Sequence, residues 1–169
     1  PELFSLKYRF FRRLNLKIYA KCAHKILLSS YTAKGDLKKI LKILDRRILV
    51  NRFIFERLPK KKLKKFSYLK KKYKLPKKFF YLPNQYWEHK NHKVVIDAIK
   101  KIKNTNRFND ICVCSTGVNY DYRNPNHFND LMKTIKQNKL DNNYKYLGVV
   151  PYTDVLSLIY YSSAVVNPS

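Results

Sequence analysis

The sequence predicts an α/β fold: a Rossmann-like parallel sheet with helices on both faces, preceded by the remnant of a second α/β domain. Two observations carry the main sheet. From residue 77 onward, short apolar runs of strand length alternate with amphipathic runs of helical length. The connections between them are short, which forces successive strands to run parallel with right-handed helical crossovers. A third observation extends the reading backwards: residues 1–58 also alternate helix, strand, helix, strand.

Taken in order, residues 1–25 carry Leu3, Phe4, Phe10, Phe11, Leu14, Ile18 and Tyr19 at helical spacing, with basic residues between them. "KILLSS" is a short apolar run that predicts a buried strand. Thr32 is the expected N-cap of a helix bearing Leu37, Ile40, Leu41 and Leu44. "RRILVNRF" predicts another strand. Residues 59–76, "PKKKLKKFSYLKKKYKLP", hold nine lysines between two prolines and predict an interdomain connection with a short basic helix.

The third region, residues 77–169, then supplies seven elements. "KKFFYLP" is a strand. "HKVVIDAIKKI" is a helix with Val94, Val95, Ala98, Ile99 and Ile102 expected on its inner face. "DICVCSTG" is a strand in which Cys112 and Cys114, two apart, share one face as small core residues. "NHFNDLMKTIKQNKL" is a helix with Phe128, Leu131, Met132 and Ile135 in register. "YKYLG" is a strand, "TDVLSLIYYS" a helix with Thr153 as its expected cap, and "SAVVNPS" a strand.

Composition narrows the function. The 169 residues carry a net charge of +26, but the excess is uneven: residues 1–76 hold 24 of the 37 Lys+Arg. Lysine outnumbers arginine 28 to 9, and Asn, Ile, Tyr and Phe are plentiful, which A/T-rich codon usage would also produce. Three readings of the charge stay open: compositional drift, attraction to an anionic membrane surface, and nucleic-acid binding. The lysine-rich stretch is either a solvated charge run or a contact for phospholipid headgroups; it has few apolar residues for a membrane-buried face. No apolar run is long enough to span a bilayer. Three cysteines without zinc-finger or CxxC spacing favour a reducing, cytosolic setting.

The loop "PNQYWEHKNH", residues 83–92, concentrates the polar chemistry. It lies at the carboxyl end of the first strand after residue 77, where open α/β sheets bind ligands. The helix that follows begins near Asn91, so free N–H groups and the positive dipole end favour a phosphate there, and Lys90 adds a full charge. Gly35, Gly117 and Gly148 are the only glycines, which excludes both GxGxxG and the P-loop. His89 and His92 either pack the helix start or bind ligand; their spacing matches no strong metal pattern. Trp87 is a loop-packing residue or a stacking platform. Asp121, Arg123 and His127 form either a catalytic constellation or ordinary turn chemistry.

Together "FFYLPNQYWEHKNHKVVIDAI", "VCSTGVNYDYRNPNHFNDL" and "YKYLGVVPYTDVLSLIYYSSAVVNPS" resemble the donor domain of group 1 glycosyltransferases, retaining enzymes with the two facing Rossmann-like domains of the GT-B architecture. The mannosyltransferase-like branch of bacterial surface-polysaccharide assembly is the most similar variety. "PELFS", "AHKILLSSYTAKGDL" and "ILVNRF" resemble the last elements of the acceptor domain. The resemblance implies an acceptor-side part over 1–58, a basic connection over 59–76 and an incomplete donor domain over 77–169.

It also implies a nucleotide-diphosphate sugar as donor substrate, with no cofactor and no metal, and a glycan or lipid-linked acceptor. The location implied is cytoplasmic, at the inner face of the membrane; no nucleic acid is expected. The positions matching the family's diphosphate loop are Gln85, His89, Lys90 and Asn91, although many relatives have arginine where this chain has Gln85. Thr116, Gly117, Val150 and Ser169 match the nucleotide crevice. Relatives continue into an E-x7-E motif beyond the position of Ser169. The chain is therefore expected to be a fragment, inactive alone, of a transferase of a hexose such as mannose. A basic nucleic-acid-binding module and a nonfunctional gene remnant are the alternatives.

Overall fold

A computed structural model describes residues 5–54 and 63–169. The chain divides into two compact units, Pro1–Arg57 and Leu58–Ser169.

In the first unit, α1 (Leu6–Cys22) is followed by β1 (Ile26–Leu28), α2 (Tyr31–Ile40) and β2 (Ile48–Val50). The two strands pair in parallel, with Ile26 opposite Ile48. The expected helix over 1–25 is shorter. Ser5 caps it by accepting a hydrogen bond from the Tyr8 N–H at 3.2 Å, and residues 1–4 lie outside the described residues. The α2 cap is Ser30 rather than Thr32: its Oγ accepts from the Ala33 N–H at 3.0 Å. Both residue types can cap. The strand ends at Leu28, so the serine is the residue placed to reach three positions on. Arg47 donates to the carbonyls of Ala20 and Ala23, satisfying the open carboxyl end of α1.

The second unit contains α3 (Phe66–Tyr73), β3 (Phe80–Leu82), α4 (His92–Ile102), β4 (Val113–Ser115), α5 (His127–Gln137), β5 (Tyr144–Tyr146), α6 (Tyr152–Tyr161) and β6 (Ala164–Val165). The four strands lie in the order β5-β4-β3-β6, all parallel, with Phe80 opposite both Val113 and Ala164. Side-chain alternation along the strands feeds two cores. Leu82, Val113 and Tyr144 pack with Val95, Ile96 and Ile99 of α4 and Leu131 and Ile135 of α5. Tyr81, Cys112 and Cys114 pack on the other face with Leu69, Leu75 and Leu158 of α3, its following turn and α6. Helices therefore cover both faces of a parallel sheet, as the sequence predicts.

Two details differ from expectation. On α4, Val94 is 47% exposed and Ala98 is exposed as well, and Ile96 joins Val95 and Ile99 in the core. Among the described residues no side chain caps α6. Its first turn is closed by the Pro151 carbonyl, which accepts from Asp154 and Val155, and Thr153 is exposed. The lysine-rich stretch contains the expected helix, and that helix is packed. Leu69 is fully buried, Lys72 Nζ donates to Asp154 Oδ2 at 2.8 Å, and Tyr73 Oη donates to the same oxygen at 2.6 Å. Residues 55–62, which include 59–62 of this stretch, lie outside the described residues.

Candidate functional site

Parallel strands present all their carboxyl ends to one edge of the sheet, and the loops after β3, β4, β5 and β6 meet there. The loop after β3 is pinned by Tyr86. Its ring is fully buried and stacks on His92 at a centroid distance of 4.1 Å. Its hydroxyl hydrogen-bonds Ser115 Oγ at 2.5 Å and Tyr144 Oη at 3.0 Å. Burial raises the Tyr86 pKa well above the usual tyrosine range, so the hydroxyl stays protonated. His92 is fully buried and its Nε2 meets the Asn84 carbonyl at 3.3 Å. A carbonyl only accepts, so Nε2 carries the proton. Burial lowers the His92 pKa to about 4. Of the roles considered for it, His92 takes the packing one.

Gly117 closes the gap between two of these loops. Its φ is +138°, and a β-carbon there would stand 2.6 Å from the Asn84 carbonyl oxygen and 2.8 Å from the Gln85 Cα. Its N–H donates to the Gly148 carbonyl at 3.1 Å, and the Tyr86 N–H donates to the Val118 carbonyl at 2.9 Å. The loops after β3, β4 and β5 thus touch backbone to backbone at Gly117, whose carbonyl accepts from Tyr146 Oη at 2.8 Å. From the loop after β6, Asn167 Oδ1 accepts from Asn84 Nδ2 and from Ser169 Oγ, both at 3.1 Å.

Beyond Tyr86, Glu88–Lys90 form a 3-10 turn, and Asn91 adopts a left-handed conformation (φ +53°) that launches α4. Among the described residues no side chain caps this helix; the Asn91 carbonyl takes the Val94 N–H at 3.2 Å, which leaves the N–H groups of His92 and Lys93 for an anion. Among the described residues the Lys90 ammonium has no hydrogen-bond or ion-pair partner, and neither does the exposed Gln85 amide.

The turn is held by Asp121, which is almost completely buried. Its carboxylate accepts from the Glu88 N–H (3.1 Å), the Arg123 N–H (3.1 Å) and the Arg123 Nε (2.9 Å) and Nη2 (3.1 Å). The guanidinium lowers the Asp121 pKa to about 2. Arg123 also lies over Trp87, 5.9 Å from the ring centroid, and its Nη2 reaches His89 Nδ1 at 3.3 Å.

The candidates therefore sort into two groups. Gln85 and Gly117 meet at the close approach of the loops after β3 and β4, Ser169 reaches this edge only through its bond to Asn167, and His89, Lys90 and Asn91 form the turn beyond Tyr86. Thr116 and Val150 turn inward. Thr116 lies two positions after Cys114 and shares its face, buried with Oγ1 bonded to Tyr81 Oη at 2.7 Å. Val150 packs on the Leu69–Leu158 core, while Val149 is 72% exposed. The set Asp121, Arg123 and His127 is split: the first two make the clasp, and His127 opens α5 with its Nε2 unpartnered among the described residues. Asn84 and Asn167 were not foreseen. Their signal is long-range pairing across 83 residues, invisible to local pattern. No group of three or more His, Cys, Asp or Glu among the described residues is arranged to hold a metal.

No protein-family model and no curated protein sequence matches the chain. Solved structures do. A glycosyltransferase from Rickettsia africae superposes with a TM-score of 0.70 at 22% identity, over 91% of this chain and 41% of that one. HepE from Anabaena, solved with UDP and glucose, gives 0.76 at 16% identity, over 100% and 43%. TarM of S. aureus gives 0.63 at 13%, over 96% and 28%. The fold is thus a partial GT-B glycosyltransferase fold, and the chain spans less than half the length of these structures.

Proposed function

We propose that the chain is part of a retaining glycosyltransferase and that its second unit binds the diphosphate of a nucleotide sugar at the carboxyl edge of the sheet. The observation that carries this reading is that Lys90, without a partner among the described residues, stands in the turn that opens the uncapped α4, in the loop whose Asn84 backbone packs against Gly117. The shared fold with HepE, which was solved with UDP and glucose, supports it.

As the glycosidic bond to the donor breaks, negative charge builds on the leaving diphosphate. Lys90 and the α4 amides would stabilise that charge, with Gln85 and His89 donating to its oxygens. Asn91 sets the entry of α4, and Ser169 borders the same pocket. Thr116 and Val150 contribute backbone rather than side chain. The nucleobase lies against the segment after β5. In the whole protein the sugar is a hexose such as mannose, the acceptor a glycan or lipid-linked glycan, and the place of work the cytoplasmic face of a membrane. No helix among the described residues is long and apolar enough to cross that membrane. The exposed Lys70 and Lys71 are candidates to touch its anionic headgroups.

Titration of the chain with UDP and with GDP tests the reading. One of them should bind, Lys90→Ala should weaken that binding at least ten-fold, and raising salt should weaken it only modestly. Binding indifferent to Lys90 that collapses with salt would instead mark the diffuse attraction of a +26 chain for any polyanion.

A further inference from the structure

His89 and Arg123 meet in a way that determines which nitrogen of the histidine carries its proton. A guanidinium has five N–H donors and no acceptor. Arg123 Nη2 lies 3.3 Å from His89 Nδ1, so Nδ1 is the acceptor of that contact, and a neutral ring keeps its proton on Nε2. Arg123 has little freedom to do otherwise. Its Nε and Nη2 are held by Asp121 at 2.9 and 3.1 Å, and its backbone N–H by the same carboxylate at 3.1 Å. Asp121 also accepts from the N–H of Glu88, the residue before His89. One buried carboxylate therefore fixes both the backbone of the turn and the cation that meets the ring. Trp87 completes the arrangement, with its ring 5.6 Å from that of His89 and also beneath the guanidinium.

The ring is exposed, and Nε2 has no partner among the described residues. We propose that Arg123 is a positioning residue that holds His89 as its Nε2–H tautomer, making His89 a directional hydrogen-bond donor to a phosphate oxygen beside Lys90. This rests on the reading of the crevice as a nucleoside-diphosphate site and adds a role to it. Lys90 supplies charge without direction, because an ammonium rotates freely. His89 supplies direction, and Arg123 acts through it rather than on the ligand.

The test is a double-mutant cycle on the whole chain, using whichever of UDP and GDP binds more tightly, together with the histidine ring nitrogen signals in the ligand-free protein. In the wild type the His89 signals should show a bare Nδ1 and a protonated Nε2; in Arg123→Gln they should show a mixture that includes Nδ1–H. His89→Phe and Arg123→Gln should each weaken binding about ten-fold, the scale of one hydrogen bond to a charged group, and the double variant should be no weaker than either. Thermal unfolding of each variant separates lost contact from lost fold. If Lys90→Ala weakens binding but His89→Phe does not, or the two losses add, the inference fails while the diphosphate site stands. A wild-type His89 protonated on Nδ1 overturns it as well. If Lys90→Ala leaves binding unchanged, the site itself is wrong and the inference falls with it.

Discussion

The Asn84 carbonyl oxygen lies 2.6 Å from the point where a β-carbon on Gly117 would stand. Contact that close admits no side chain, and the backbone at Gly117 has a φ of +138°, which L-residues rarely adopt. Gly117→Ala must therefore displace the loop after β3 or strain the strand end. It should cost about 2–4 kcal/mol in chemical denaturation and loosen the turn that carries Lys90. Gly35→Ala, where an added methyl meets nothing within 4 Å, should be harmless or stabilising. Equal stability in the two variants would remove the close approach from the account.

Tyr86 ties the same loop to the core through hydroxyl contacts with Ser115 and Tyr144. Removing only that oxygen, in Tyr86→Phe, should cost about 1–2 kcal/mol. The matching change at the exposed Tyr122 should cost under about 0.5 kcal/mol. Comparison of urea midpoints decides the point.

His92 makes stability depend on pH. Its folded pKa of about 4 lies below the ordinary 6.5, so the unfolded chain binds the extra proton first. Its contribution is complete above pH 6.5, declines as pH falls toward 4, and is exhausted below that. The shift corresponds to about 3 kcal/mol. His92→Gln should flatten the stability profile in this window while leaving in place the fall below pH 4, where Asp121 protonates in the unfolded chain but, held down to about 2, not yet in the folded one. An unchanged slope between pH 6.5 and 4 would mean that His92 is not buried as described.

Asp154 joins the basic helix α3 to α6. Its buried carboxylate accepts from Lys72 and Tyr73, and Lys72 in turn is held protonated by it. Asp154→Ala leaves the Tyr73 hydroxyl without its acceptor and should cost about 1–3 kcal/mol. The loss should be concentrated in faster amide hydrogen exchange of Phe66–Tyr73. Exchange that accelerates evenly across the sheet instead would show that α3 is not docked through this contact.

The fold was legible because its signals are local. Strand runs, helical spacing and short connections give the order of elements, and α4 begins at His92, beside the Asn91 that the sequence suggested. Caps were less legible. Ser30 and Thr32 are chemically equivalent choices, and only the end of β1 at Leu28 decides between them. In the site, the position of the loop followed from strand order, but the contacts that shape it join distant residues: Asn84 with Asn167, and Asp121 with the Glu88 N–H. The inward turn of Thr116 was within reach, since it continues the two-residue alternation of Cys112 and Cys114.

The central claim is a place: a diphosphate at the carboxyl edge of β3 and β4. A crystal structure of the chain soaked with the nucleoside diphosphate that binds it tests this directly. Phosphate density should appear between Lys90, the first turn of α4 and Gly117, with the His89 Nε2 within hydrogen-bonding distance of an oxygen. Density confined to the lysines of α1 or α3, with the crevice filled only by water, would contradict it.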